Sequence, residues 1–235
     1  MNRLTECMLS LLYPKRCPMC DSILGKSEEY ICSLCKEQAE FVRGACCMKC
    51  GKPVLQEEEY CKDCLVHPHK FDRGRVLFVY EGVLKKSIYR FKYARRKEYA
   101  QSYAYFAERE LGEFIREVGP DAFVPVPLHR RRFRKRGYNQ SELFSRALGK
   151  RMRIPVLTKL VKRTKNTLPQ KELDLTARQN NLKKAFKLCR NDVKLNTIII
   201  IDDIYTTGST IDAVAEQFRR AGVKKIYFVA ISGGR

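Results

Sequence analysis

Eight cysteines in the first 64 residues lie in four Cys-x-x-Cys pairs, and thiolates at this spacing are metal ligands. Gaps of 11, 11 and 10 residues separate the pairs. Two such turns complete a tetrahedral zinc site with Zn–S distances of about 2.3 Å. Pairing in chain order predicts two zinc ribbons in tandem and two zinc ions, while a nested pairing of outer and inner turns stays open. The eight predicted ligands are Cys17, Cys20, Cys32, Cys35, Cys47, Cys50, Cys61 and Cys64.

A disulfide framework is the alternative use of so many cysteines. We expect zinc instead, because nothing in the sequence marks the chain for export and disulfides belong to oxidising compartments. His67 and His69 follow a complete ligand set, so we expect them at the surface rather than on a metal.

A second group of reactive side chains follows an apolar run near the end of the chain. Four isoleucines, Ile198–Ile201, precede Asp202 and Asp203, and a hydroxyl-rich turn then opens a helix. The turn consists of Thr206, Thr207, Gly208, Ser209 and Thr210. Amides and hydroxyls at a helix N-terminus form an anion cradle, and the glycine allows close backbone approach. The two carboxylates suit the vicinal hydroxyls of a ribose, or a hydrated magnesium ion on its diphosphate. Each piece alone is typical of a plain strand, turn and capped helix; together they predict a sugar-phosphate site.

These residues need a scaffold, and the hydrophobic pattern predicts one. Apolar runs predict strands, and apolar residues at helical spacing lie between several of them. Strands that alternate with helices indicate an α/β fold with a parallel sheet, whose ligands bind at the carboxyl ends of the strands. We therefore expect function just after Val126, Val161 and Ile201. The predicted strands are Val76–Tyr80, Ala122–Val126, Pro155–Val161, Thr197–Ile201 and Lys225–Ile231.

Charge divides the 235 residues into two parts. Lys and Arg outnumber Asp and Glu by 47 to 26, which gives a net charge of +21. This charge excludes a protein that polyanions would not attract. Residues 1–70 hold 10 basic and 10 acidic residues, so residues 71–235 carry the whole excess. We therefore predict a cysteine-rich domain at 1–70 and a sheet domain at 71–235. No apolar run reaches the roughly 18 residues of a membrane span, so we expect a soluble, cytoplasmic protein.

The most basic stretch, Arg130–Arg136, surrounds Phe133. Arg131, Arg132 and Arg134 suit neutralisation of a DNA backbone, and aromatic residues suit base stacking. The aromatic candidates are Phe133 and Tyr138, with Tyr89, Phe91 and Tyr93 nearby in the basic region. The same stretch is also compatible with a solvated face, or with arginines that serve only a diphosphate.

Six further motifs follow one another in the chain. They are Arg90-Phe91-Lys92-Tyr93, Val124-Pro125-Val126-Pro127-Leu128-His129, Arg136-Gly137-Tyr138-Asn139-Gln140, Thr167-x-Pro169-Gln170, Arg178-x-x-Asn181 and Ala185-Phe186. The Asp202–Thr210 segment resembles the phosphoribosyl-pyrophosphate (PRPP) loop of type I phosphoribosyltransferases, and the double cysteine-knuckle segment precedes it. In this order the motifs closely resemble those of the ComF (ComFC) family of late-competence proteins, from about Leu11 to Ile231. Where that family commonly has glycine after the second cysteine, this chain has Asp21.

The resemblance implies a type I phosphoribosyltransferase-like sheet and a role for each part of the site. Asp202 and Asp203 would face the ribose hydroxyls, and residues 206–210 the 5′-phosphate. Leu128, His129 and Arg130 would hold the diphosphate with its magnesium ion. Arg178, in a loop over residues 162–184, would join the two aspartates in any catalysis.

The resemblance also implies a cytoplasmic role in natural transformation. The protein would act on incoming single-stranded DNA, with a helicase-like ATPase and DNA-processing proteins as partners. Three functions follow: a DNA-handling protein that binds PRPP, an active phosphoribosyltransferase with an unidentified acceptor, or a zinc-ribbon adaptor whose sugar-phosphate site is a relic.

Overall fold

A computed structural model of the chain describes residues 14–25, 27–164, 185–189 and 194–234. Its central sheet has four parallel strands in the order β1-β6-β5-β2, which confirms the predicted parallel α/β fold. The strands are β1 (Arg73–Val79), β2 (Ala122–Pro125), β5 (Thr197–Tyr205) and β6 (Lys225–Gly233). Arg178 and most of the loop predicted over residues 162–184 lie outside the described residues.

Helices cover both faces of the sheet because each buried strand offers apolar side chains alternately to the two sides. The helices are α3 (Gly82–Tyr93), α4 (Tyr99–Val118), α6 (Gln140–Met152) and α7 (Ser209–Arg220). Ile199 and Ile201 of β5 face the core that is formed with α3, α4 and α6, whereas Ile198 and Ile200 face the core with α7.

The structure differs from the prediction in three elements. No strand spans Pro155–Val161: only Val156 pairs with Phe123 before the chain turns away. Val161–Arg163 forms β3, which pairs antiparallel with β4 (Phe186–Leu188) in a separate two-stranded sheet. Arg130–Arg136 forms a short helix, α5, which the sequence analysis did not predict.

The cysteine-rich segment packs on both faces of the sheet at its β1 edge. Cys17 and Cys35 lie in the core with α3 and α4, whereas Cys47 and Cys61 lie in the opposite core with α7. Between them the chain pairs with β1: the Val42 amide donates to the Leu77 carbonyl at 3.0 Å, and the Val79 amide donates to the Glu40 carbonyl at 2.9 Å. This pairing covers an edge that would otherwise expose free backbone groups.

Two short helices begin directly after cysteines of this segment, α1 (Ser33–Gln38) after Cys32 and α2 (Lys62–Val66) after Cys61.

Within the described part of the chain, no helix is both long enough and apolar enough to span a membrane.

Candidate metal centres and sugar-phosphate site

The eight predicted metal ligands form two tetrads in chain order. In each tetrad the four sulfur atoms all lie within 4.8 Å of one another. The Cys20 and Cys32 sulfurs are 3.7 Å apart, and those of Cys50 and Cys61 are 3.6 Å apart. Tetrahedral Zn–S bonds of about 2.3 Å require sulfurs about 3.8 Å apart, so both tetrads fit zinc. The first tetrad is Cys17, Cys20, Cys32 and Cys35, and the second is Cys47, Cys50, Cys61 and Cys64.

The turn of the first tetrad contains Asp21 at the position where the resemblance implied glycine. Asp21 adopts the left-handed conformation with φ 71°, which Asp tolerates better than most residues. Its carboxylate accepts hydrogen bonds from Tyr99 Oη and from an Arg96 guanidinium nitrogen, both at 2.6 Å. Partial burial opposes ionisation, but these bonds hold the pKa of Asp21 below its ordinary value. Asp21 thus joins the first tetrad to the junction of α3 and α4.

The turn of the second tetrad lies directly on β1. Gly51 has φ +70°, and a β-carbon there would lie 2.6 Å from the Gly74 carbonyl oxygen. The Gly74 amide donates to the Lys49 carbonyl at 2.8 Å. Only glycine therefore allows this turn to approach the strand so closely.

Asp202 and Asp203 form a buried acidic pair at the carboxyl end of β5, each 9% exposed. β5 continues to Tyr205, so the pair lies within the strand and not after it, as the sequence analysis expected. The Asp202 Oδ1 atom accepts hydrogen bonds from Ser141 Oγ at 3.0 Å and from the Asp203 amide at 2.8 Å. Lys92 Nζ lies 3.0 Å from Asp203 Oδ1. Burial, followed by the Asp203 charge, raises the pKa of Asp202 to about 7.

The predicted phosphate loop connects this pair to α7. Gly208 has φ +78° and precedes the first residue of the helix, so the loop presents backbone amides at a helix N-terminus. Thr207 Oγ1 and Ser209 Oγ lie 2.9 Å apart. The loop thus places backbone amides and hydroxyls at a helix N-terminus, a few residues after the two carboxylates.

Residues predicted to hold a diphosphate line a cavity of about 430 Å³. Residues 127–130, which include Leu128, His129 and Arg130, form one wall of the cavity, and residues 161–164 form the other. His129 caps α5, and its Nδ1 atom accepts a hydrogen bond from the Arg131 amide at 3.3 Å. Although β3 is not part of the main sheet, its residues thus reach the expected edge.

Two arginines make the surroundings of this cavity electropositive. Burial and the charge of Arg132 lower the pKa of Arg163 to about 10. Burial and the charge of Arg136 likewise lower the pKa of Arg132. The charges of Asp202, near Arg163, and of Asp203, near Arg132, act in the opposite direction, so these arginines and the acidic pair lie within electrostatic range of each other.

The predicted DNA-binding residues do not all lie at the surface. Arg131 and Arg134 are exposed, and Phe133 is 47% exposed, whereas Arg132 is half-buried. Tyr138 is only 5% exposed, and its hydroxyl donates to the Phe91 carbonyl at 2.5 Å. Its ring belongs to the core, so the stacking role predicted for Tyr138 does not fit the structure.

Two other aromatic residues of the basic region are available at the surface. Tyr89 and Tyr93 on α3 are 64% and 47% exposed, and their ring centroids lie 5.0 Å apart. The Arg136 guanidinium lies over the Tyr93 ring at 4.9 Å. Phe91, by contrast, is fully buried.

Sequence reasoning gave no role to Lys92 and Ser141, and it placed His69 at the surface. The position of Lys92 in the Arg90–Tyr93 motif was the available signal, but only the fold shows that it faces Asp203. The expectation for His69 was wrong: its side chain is 1% exposed and bonds Asp212. An acidic partner 143 residues away leaves no local signal in the sequence.

Comparison with known proteins agrees with both halves of this arrangement. Residues 8–65 match the family profile of a double zinc ribbon domain, and residues 141–234 match that of a phosphoribosyl transferase domain. Competence protein F of Haemophilus influenzae is 32% identical over 216 residues, which cover 90% of this chain and 93% of that protein.

Two further relatives extend the comparison. DNA utilization protein YhgH of Escherichia coli K12 is 32% identical over 219 residues, which cover 92% of this chain and 96% of that protein. Competence protein ComFC of Bacillus subtilis 168 is 27% identical over 227 residues, which cover 85% and 86%. With its two cysteine tetrads and its phosphoribosyltransferase-type sheet, the chain belongs to the ComF/ComFC family of competence proteins.

Proposed function

We propose that the protein handles single-stranded DNA and binds PRPP, with magnesium, at the carboxyl edge of its sheet. One observation carries the proposal for PRPP: a buried acidic pair, a hydroxyl-rich loop at a helix N-terminus and a cavity lined by basic residues all lie at this edge. Asp202 and Asp203 match the ribose hydroxyls, residues 206–210 match the 5′-phosphate, and Leu128–Arg130 match the diphosphate. A magnesium ion bound with PRPP would neutralise part of the diphosphate charge.

Calorimetric titration of the zinc-loaded protein with PRPP and magnesium tests the sugar-phosphate site. Asp203→Asn should weaken binding because it removes a carboxylate from the ribose. Gly208→Val should weaken it at least as much, since a β-carbon would lie 2.7 Å from Tyr205 Oη in a backbone conformation that valine avoids. Glu113→Gln, on α4, is the matched control. Equal affinity for all four proteins would refute the site.

The surface proposed for single-stranded DNA combines Arg131 and Arg134 with the exposed rings of Phe133, Tyr89 and Tyr93. Guanidinium groups at the surface neutralise phosphates, and exposed rings accept stacked bases without regard to sequence. The relatives that are named for competence or DNA utilization support a role with DNA.

Fluorescence anisotropy with a short single-stranded oligonucleotide, at several salt concentrations, tests this surface. About five phosphate contacts would give a log–log slope of roughly −3 to −4. Arg131→Gln with Arg134→Gln should flatten the slope, whereas Tyr93→Leu should weaken binding and keep the slope. Arg116→Gln with Arg109→Gln, both on α4, is a control of equal charge. Identical curves for all variants would contradict the assignment.

An active phosphoribosyltransferase is the second candidate function. The observation that favours it is the match of residues 141–234 to a phosphoribosyl transferase domain. Asp202, Asp203 and Arg178 are the proposed catalytic residues, and pyrophosphate release with candidate acceptors tests the activity. If PRPP did not bind at all, the zinc-ribbon adaptor would be the better account.

The proposed location is the cytoplasm, where the protein would act on incoming DNA. The proposed partners are a competence helicase-like ATPase and DNA-processing proteins. Residues 1–70 and 71–235 remain the proposed domain division, and two zinc ions are the proposed metal content.

A further inference from the structure

Two buried polar atoms lie beneath the phosphate loop and have no hydrogen-bond partner among the described residues. They are Nε2 of His69 and the hydroxyl of Tyr205. The His69 side chain is 1% exposed and Tyr205 is 2% exposed. A buried polar group without a partner is destabilising, so its presence here requires an explanation.

The His69 ring is fixed by contacts on two sides. Its Nδ1 atom lies 2.7 Å from Asp212 Oδ2, and the Lys70 amide donates to Oδ1 of the same carboxylate at 2.7 Å. The ring stacks on Phe71 with the centroids 4.6 Å apart. Because a carboxylate only accepts hydrogen bonds, Nδ1 carries the proton. In the neutral ring Nε2 is therefore an acceptor.

The Tyr205 hydroxyl and the His69 ring both lie next to Gly208 in the loop. A β-carbon on Gly208 would lie 2.7 Å from Tyr205 Oη and 2.8 Å from His69 Cε1. Tyr205 is the last residue of β5, and its ring stacks on Phe228 with the centroids 4.6 Å apart. The Tyr205 hydroxyl and the His69 ring edge thus pack against the same glycine from two different segments of the chain.

We propose that Asp212, His69 and Tyr205 form a positioning network that holds residues 206–210 in the shape that binds an anion. The inference rests on the proposed sugar-phosphate site and assigns the residues that preorganise it. The second cysteine tetrad anchors the network, because Tyr205 and Phe71 share one core with Cys50 and Cys61. Cys17 and Cys35 of the first tetrad pack in the core on the other face of the sheet, which does not include Tyr205 or Phe71.

Tyr205→Phe is the sharpest test because it removes only the hydroxyl. Calorimetry with ribose 5-phosphate should give a Kd at least about fivefold weaker, with an unfolding temperature unchanged or higher. His69→Asn retains a donor for Asp212, lacks Nε2 and should weaken binding similarly. Tyr99→Phe is the control: it loses the bond to Asp21, so its unfolding temperature should fall while the Kd stays within twofold.

Amide hydrogen exchange of residues 206–212 in the ligand-free protein tests the network independently of any ligand. Tyr205→Phe and His69→Asn should each speed exchange in this segment about tenfold, with β5 unchanged. If these variants exchange faster but the wild type does not bind PRPP with magnesium, the network stands and the proposed function fails. Wild-type exchange and wild-type Kd in both variants would overturn the network.

Serine substitutions in the two tetrads test the anchor. Cys64→Ser should speed exchange of the loop, whereas Cys35→Ser should leave it unchanged. Equal effects of the two substitutions on residues 206–212 would contradict the role given to the second tetrad.

Discussion

Replacing Lys92 by methionine should lower the free energy of unfolding, because the charges of Asp202 and Asp203 then repel each other without a nearby lysine. Lys92 Nζ lies 3.0 Å from Asp203 Oδ1, and the two side chains are 15% and 13% exposed. Methionine preserves the shape of the lysine stem and removes the charge. The substitution therefore leaves two adjacent carboxylates without this cation.

The magnitude follows from burial. Removing one partner of a fully buried ion pair costs about 3–5 kcal/mol because the remaining charge is left uncompensated. Since both side chains retain some exposure, we expect the free energy of unfolding to fall by about 2–4 kcal/mol at pH 8. Adding Asp203→Asn removes the stranded charge, so the double variant should return to within about 1 kcal/mol of wild type.

Urea unfolding of the zinc-loaded protein, followed by far-ultraviolet circular dichroism, measures these differences. Arg146→Gln is the control, because Arg146 and Glu142 form an exposed i,i+4 pair on α6 that contributes at most about 0.5 kcal/mol. A loss below 0.5 kcal/mol for Lys92→Met, or no rescue by Asp203→Asn, would refute the reasoning.

The deficit of Lys92→Met should also depend on pH. The folded-state pKa of Asp202 is raised to about 7, above the ordinary value of 3.8, so the folded state binds a proton more tightly than the unfolded state. The stability from this proton is present below the unfolded pKa and is lost as pH rises through about 7. At pH 6 protonation of Asp202 relieves the repulsion, so the deficit should be smaller than at pH 8.

Three further predictions concern the metal, the first ribbon and the DNA surface. Elemental analysis should find two zinc ions per chain, and one ion would contradict the two complete tetrads. Asp21→Gly relieves a left-handed backbone but loses the bonds to Arg96 and Tyr99, so thermal unfolding should show a net loss of about 1–2 kcal/mol; increased stability would contradict this balance. Phe133→Leu should weaken single-stranded DNA binding about fivefold at constant salt slope, and anisotropy showing a changed slope instead would contradict stacking.

Sequence spacing predicted the parts of the protein that repeat or have a regular period. Four Cys-x-x-Cys turns predicted both tetrads, because a knuckle is a local structure that its own few residues determine. Alternation of apolar strands and helices predicted the parallel sheet, and the Asp202–Thr210 pattern predicted the loop at its edge.

Contacts between distant segments could not be predicted in this way. Tyr138 has the composition of a stacking residue, yet its hydroxyl bonds the Phe91 carbonyl in the core. The sequence around His69 is typical of a linker, but in the fold the His69 ring bonds Asp212 of α7 and lies next to Gly208. Both are products of tertiary packing, and neither partner lies near in the sequence.

The failed strand at 155–161 has a related cause. Its apolar residues match a strand, but Val156 alone pairs with Phe123, and Val161 pairs instead with Leu188 in a separate hairpin. Apolar periodicity identifies residues that will be buried, whereas the choice of partner depends on where the chain turns.

A crystal structure of the zinc-loaded protein soaked with PRPP and magnesium tests the central claim most directly. We expect the ribose hydroxyls to lie against Asp202 and Asp203, the 5′-phosphate to lie in the loop of residues 206–210, and the diphosphate to lie beside Leu128–Arg130. Ligand density at any other place, or an empty edge of the sheet at millimolar PRPP, would contradict it.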